Sequence, residues 1–265
     1  MLIEQHFHGA FGIDFSNCST EEIIELAKKM KEVGVDGIYP TLVTDTIENL
    51  KRQIQVIKAA SYNQTDYTAK ILGIHLEANF LNPAKKGIHN SDLFMELNIE
   101  NYKLIEDDFI KIITLAPELD NGLIDYLKSK GVKVQAGHCV GGNLTKCDGV
   151  THLFNAMSGI THREESTALS ALINDNVYVE VIADGIHLSD DILKLIYKTK
   201  PQDKIVLISD CLPCAGLNEP CTFEFAGETI YFDGQKATSK DGTLAGSTML
   251  LPEIIKRVQS LGLLN

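Results

Sequence analysis

The chain has 265 residues, 44% of them hydrophobic and 23% charged, a composition that fits one large globular domain or two small ones. Its 24 Lys and Arg stand against 36 Asp and Glu, and a net charge of −12 argues against nucleic acid or an anionic membrane as partner, since both require a basic face. No apolar run approaches the roughly 18 residues that span a membrane. The six Cys are irregularly spaced and the first ten residues, MLIEQHFHGA, lack a basic and apolar leader pattern, so the expected compartment is the cytoplasm.

Short β-branched runs alternate with amphipathic stretches, and no repeat or Ser/Pro linker divides them. A strand at Ile3–His8 precedes a helix at Ser19–Val33, which opens on the capping signal Ser19-Thr20-Glu21-Glu22 and ends near Gly34. There follow strand Gly37–Val43, helix Ile47–Ala60, strand Lys70–Glu77, helix Leu93–Ile105, strand Phe109–Ala116 and helix Asn121–Lys130. Next come strands Val132–Gly137 and Gly149–Phe154, helix Glu164–Asn174, strand Val177–Ile182, helix Ser189–Lys198 and strand Lys204–Ser209. Residues 222–246 read as a small β excursion with turns at Gly227-Glu228 and Asp233-Gly234, and Leu251–Leu261 as a closing helix. Strands separated by crossovers make a parallel sheet, and near-continuous apolar runs suit strands covered on both faces. Eight such units in one chain fit a (β/α)8 barrel of the TIM type, a single catalytic domain over 1–265. No GxGxxG fingerprint supports a dinucleotide fold.

A barrel enzyme keeps its chemistry at the C-terminal ends of its strands. Here the first strand ends in His6-Phe7-His8, the third in Glu77, the fifth in His138, the sixth in His152 with Asn155 beyond, the seventh in Asp184 and His187, and the eighth in Asp210. A lone His is more often a hydrogen-bonded core residue, but His6, His8, His138 and His152 gathered at matched strand ends are not explained that way. His6 and His8 share a strand face, and Glu77, His138 and His152 add a carboxylate and two imidazoles, a set suited to Zn²⁺ or Fe²⁺. Lys111 lies at the wrong end of the fourth strand to serve as a bridging ligand, which leaves Glu77 as the candidate bridge. Asp210 is the candidate general base, placed to take a proton from an ionising water. Cys211-Leu212-Pro213-Cys214 has a CxxC spacing that stands alone and reads as incidental.

These residues lie in segments that together resemble the N-acetylglucosamine-6-phosphate deacetylase family of the amidohydrolase superfamily. The segments are Gly73–Glu77, Lys85–Asn90, Ala136–His138, Thr151–Met157, His162–Glu164, Ala183–His187, Ser209-Asp210 and Asp241–Ser247, in order along essentially the whole chain. The resemblance implies a metal-dependent amide hydrolase with Glu77, His138 and His152 as primary ligands, Asp210 as proton shuttle and His89 polarising the acetyl carbonyl. It implies that Asn155, the Ala156 backbone, Arg163 and His187 hold the sugar phosphate, that Leu244, Ala245, Gly246 and the Ile88 backbone line the sugar, and that a neighbouring subunit lends part of the phosphate clamp in a homodimer.

The chain departs from the family pattern at Ala78-Asn79, where the family has Gly-Pro, and at Glu165-Ser166, where it has Pro-Gly. Only five residues precede His6, so the expectation is a barrel without the family's small β-sandwich domain. The expected cofactor is one or two divalent cations, zinc foremost, with iron, manganese and cobalt as alternatives, the pair His6 and His8 forming the weaker site. The rival readings are hydrolysis of a different N-acyl substrate and a catalytically silent, metal-holding sensor of a sugar phosphate.

Overall fold

In a computed structural model of the chain, which describes residues 1–264, eight strands pair in parallel in sequence order. They are β1 (Ile3–Phe7), β2 (Gly37–Val43), β3 (Ile74–Glu77), β4 (Ile110–Leu115), β5 (Lys133–Ala136), β6 (Gly149–Val150), β7 (Tyr178–Ile182) and β8 (Ile205–Ile208). The seam between β8 and β1 closes just beyond β8, where Asp210 N–H donates to the His6 carbonyl and His8 N–H to the Cys211 carbonyl, both at 2.8 Å. The sheet is therefore a barrel, and its closing hydrogen bonds run through three of the candidate site residues.

The helices α1 (Thr20–Glu32), α2 (Ile47–Tyr62), α3 (Ile99–Tyr102), α4 (Leu123–Ser129), α5 (Thr167–Ile173), α6 (Asp190–Thr199) and α7 (Leu251–Ser260) fill the crossovers. Ser19 caps α1 with a reciprocal Glu22 contact, and Ile23, Leu26, Ala27 and Met30 are its buried face, the three-to-four spacing of a helix against a sheet. In α2 the same spacing buries Leu50, Ile54 and Ile57.

In the first half of the chain two elements differ from the sequence pattern. The third strand is interrupted: Lys70–Ile71 pairs with the start of β2, and Gly73, with φ 151°, breaks the run before β3. A side chain at Gly73 would collide with that of Lys111, so the close passage of β4 requires glycine there. The helix expected over Leu93–Ile105 shrinks to α3, because Met95 N–H donates to the Asn79 carbonyl and Leu97 bridges to Asp120. Those tertiary bonds claim the backbone before Asn98 can cap the helix.

Between β8 and α7 the excursion forms an antiparallel meander of β9 (Cys221–Phe225), β10 (Glu228–Phe232), β11 (Ala237–Ser239) and β12 (Leu244–Gly246). Its apolar face, with Phe225, Ile230 and Phe232, packs on Val43, Ile88 and Leu212 from the barrel rim as a small second core. Gly246 approaches the chain after β8 so closely that a Cβ would lie 2.8 Å from the Asp210 carbonyl. Ser247 N–H donates to that carbonyl at 2.9 Å. The meander is thereby fixed as one wall of the barrel mouth.

Candidate active site

Glu77 is the hub of the mouth. Its Oε2 lies 3.1 Å from His6 Nε2 and 3.3 Å from His8 Nε2, while its Oε1 lies 3.0 Å from His152 Nε2 and 3.4 Å from His138 Nε2. Asp210 Oδ1 completes the first group, 3.4 Å from His6 Nε2 and 3.2 Å from His8 Nε2. The structure thus forms two convergent donor sets, His6, His8, Glu77 and Asp210 on one side and Glu77, His138 and His152 on the other, all buried. The metal ligands expected from sequence all fall into these two sets.

These sets fit a cation better than they fit protons. His138 Nε2 and His152 Nε2 face each other at 3.2 Å while both face Glu77 Oε1. Asp210 Oδ1 is buried and lacks a hydrogen bond of good geometry despite the nearby imidazoles. Buried polar atoms of this kind are normally satisfied, and a divalent ion bound by neutral imidazoles and carboxylates satisfies them together.

Local backbone strain supports the arrangement. His138, His152 and Asp210 all lie just past their strands with φ of 47°, 28° and 50°, in the left-handed region. Each such conformation costs of order 1–3 kcal/mol and persists where surrounding structure imposes it, typically at functional sites. The sixth strand accordingly stops at Val150 rather than running to Phe154, because the chain turns inward to deliver His152.

The electrostatics follow from burial and proximity. Burial disfavours charge on His6, but Glu77, Glu180 and Asp210 around it raise it well above its ordinary value. His8 is likewise raised, to about 9, against burial, by Asp210 and Glu77. In return, and again against burial, the His6 charge holds Glu77 well below the usual carboxylate range and Asp210 down to about 2. His89 moves the other way: burial and the neighbouring His138 keep it neutral. Its Nδ1 sits 2.8 Å from the Thr44 hydroxyl and its Nε2 4.0 Å from Glu77 Oε2.

A cavity of about 440 Å³ opens over both donor sets. Ile88, His89, Asn155, Ala156, His187, Leu244, Ala245 and Gly246 line it, as do Glu77, His8, His138, His152 and Asp210. Asp184 fixes His187, accepting from its ring Nδ1 at 2.7 Å and from its backbone N–H at 2.9 Å. Arg163 is the exception. It is exposed and lines a separate shallow cleft with Glu164 and Glu165, so this chain alone does not bring it to the cavity. The departure at Ala78-Asn79 lies behind the site: Asn79 Nδ2 donates to the Asp45 carbonyl at 2.8 Å, tying together the loops after β2 and β3.

Three further residues touch the site without belonging to a motif. Thr44 faces His89, Phe225 packs edge-on to His8 with ring centroids 5.2 Å apart, and Glu180 accepts from His6 Nδ1 at 2.9 Å. A sequence signal existed for Glu180 alone, as the single carboxylate in the apolar run VYVEVIA.

An eight-stranded parallel barrel with paired His and carboxylate sets at the C-terminal ends of its strands defines a metal-dependent hydrolase of the amidohydrolase type. No family model matches the chain. It is 31% identical over 268 residues to the N-acetylglucosamine-6-phosphate deacetylase of Bacillus subtilis, covering 95% of this chain and 67% of that protein. It is 28% identical to the N-acetylgalactosamine-6-phosphate deacetylase of Escherichia coli O157:H7, covering 98% of this chain and 71% of the relative. The solved structure of the Thermotoga maritima N-acetylglucosamine-6-phosphate deacetylase superposes with a TM-score of 0.89 at 27% identity, over 98% of this chain and 72% of that one. The chain belongs to the N-acetylglucosamine-6-phosphate deacetylase family, and it spans about two thirds of the length of the Bacillus relative.

Proposed function

We propose that the chain hydrolyses the acetamide of N-acetylglucosamine 6-phosphate to glucosamine 6-phosphate and acetate. The observation that carries this reading is the single cavity in which Glu77, Asp210 and His89 face Asn155 and His187, in a member of this family. Glu77, His138 and His152 would hold one divalent cation, and His6, His8 and Asp210, sharing Glu77, a second. Zinc is the first choice, with iron, manganese or cobalt as alternatives. Bound there, a cation supplies Lewis acidity and lowers the pKa of water toward neutrality.

The chain's own residues do the rest. Asp210, held ionised, accepts the proton of the attacking water and passes it to the nitrogen as the C–N bond breaks. His89, neutral and hydrogen-bonded to Thr44 through Nδ1, presents its Nε2–H to the oxygen that gains charge in the transition state. Asn155, the Ala156 backbone and His187 take the sugar phosphate, and the Ile88 backbone with Leu244–Gly246 line the ring. Arg163, which lies outside its own cavity, would reach the phosphate in a neighbouring protomer, and the working species would then be a homodimer. No described helix is long and apolar enough to cross a membrane, and we place the enzyme in the cytoplasm.

The galactosamine-type relative gives a second reading, the C4 epimer of the same substrate. Acetate release from both epimers, each with and without the 6-phosphate, tests the proposal. Turnover of phosphorylated N-acetylglucosamine above the other three compounds is expected. Preference for the epimer supports the second reading, and phosphate-dependent binding with no acetate would make the chain a sensor.

A further inference from the structure

Glu180 sits in the middle of β7, wholly buried. Its Oε2 accepts the Nδ1–H of His6 at 2.9 Å, and its Oε1 accepts Gln5 Nε2–H at 2.7 Å. Gln5 is itself anchored, since its side chain reaches Gln135 and its carbonyl accepts from His75 Nδ1 at 2.9 Å. This places a braced carboxylate directly behind one candidate ligand, on the far side of the ring from Glu77 and Asp210.

The other three imidazoles are supported differently. His8 Nδ1 donates to the Thr41 carbonyl at 3.2 Å and His138 Nδ1 to the Lys85 carbonyl at 2.8 Å, both uncharged acceptors. His152 Nδ1 has no hydrogen-bond partner among the described residues. Only His6 has a charge behind it. A carboxylate on Nδ1–H fixes the tautomer, aims the Nε2 lone pair and makes that nitrogen a stronger donor. The pairing of β1 with β2 shifts register between Glu4 and Phe7, so Glu180 holds the His6 ring where the ladder is irregular.

Charge balance points the same way. Glu77, Glu180 and Asp210 are all buried, and among the described residues no Lys or Arg pairs with any of them. One divalent cation offsets two of these three negative charges. The remaining charge is balanced either by protons on the His6 and His8 rings or by a second cation that takes the place of those protons.

We propose that Glu180 is a positioning residue which, through His6, makes the set His6, His8, Glu77 and Asp210 a cation site of its own. The inference deepens the metal-dependent reading above, but its test uses no substrate. The full chain, stripped of metal by a chelator, is titrated with Co²⁺ and followed by calorimetry and by the visible absorption of bound cobalt. The unaltered chain takes up two ions. In Glu180→Gln, which keeps the shape and loses the charge, the ion at His6 and His8 binds 10–100-fold more weakly, the usual consequence of removing such a support. The ion at Glu77, His138 and His152 keeps its affinity. Gln5→Met, which leaves Glu180 on His6 but unbraced, gives a smaller loss confined to the same ion, and it serves if Glu180→Gln does not fold. The proposal is overturned if the unaltered chain never exceeds one ion, if neither variant changes the second, or if both ions weaken equally. Absence of acetate release would overturn the deacetylase reading and leave this titration result standing.

Discussion

Replacing Asp210 with Asn removes a charge and a proton acceptor and leaves the side-chain shape. The choice of Asn follows from the backbone. Asp210 has φ 50°, and Asn is among the few residues that adopt this region readily, whereas Ala there would add strain to the loss of function. Its backbone N–H to His6 and its carbonyl to Ser247 are untouched, so the barrel seam and the meander contact both persist. The Glu77, His138 and His152 set does not include Asp210, so that cation is retained. What disappears is proton transfer, which contributes about 10²–10⁴-fold, or roughly 3–5 kcal/mol of activation free energy at about 1.4 kcal/mol per decade. The assay pairs acetate release with elemental analysis and thermal unfolding of the same preparation. A fall in kcat of two to four decades is expected, with at least one cation retained and an unfolding midpoint close to that of the parent. Turnover within a few-fold of the parent at unchanged metal content would refute Asp210 as the proton shuttle.

Other perturbations separate the remaining roles. Arg163→Ala should weaken phosphorylated substrate far more than its neutral analogue, and in mixtures with an Asp210→Asn chain it should show activity consistent with one arginine serving the other protomer; equal losses for both substrates would assign Arg163 to local structure. The double variant His6→Ala, His8→Ala should bind one cation where the parent binds two, measured by elemental analysis across a metal titration. Thr44→Val removes the hydroxyl that faces His89 and should lower kcat with little change in metal content, while an unchanged kcat would remove His89 orientation from the mechanism. Ile230→Ala, in the wholly buried core beneath the meander, should destabilise by about 2–5 kcal/mol in denaturant unfolding, as large-to-small changes in cores do.

The sequence by itself determined the barrel and the residues that converge in its two buried donor sets. Strands such as Tyr178–Ile182 and Ile205–Ile208 are legible because a parallel strand covered on both faces is largely apolar along its length, and α1 because its capping box and its three-to-four spacing are local. His6, His8, Glu77, His138, His152 and Asp210 are legible because imidazoles and carboxylates collect at the C-terminal ends of those runs, Glu180 being a carboxylate that interrupts one in its middle. Tertiary structure decided the rest. The break at Gly73 answers to Lys111, and the missing turns before α3 answer to Asn79 and Asp120, partners far away in sequence. The left-handed turns at His138, His152 and Asp210 belong to no local motif and exist because the closed barrel holds them. The division of Glu77 between two donor sets, the support of His6 by Glu180, and the placing of Arg163 outside its own cavity are all matters of distance between residues on different strands and loops. Periodicity and residue type are local properties and survive in one dimension; which side chain stands behind which is settled only when the strands close.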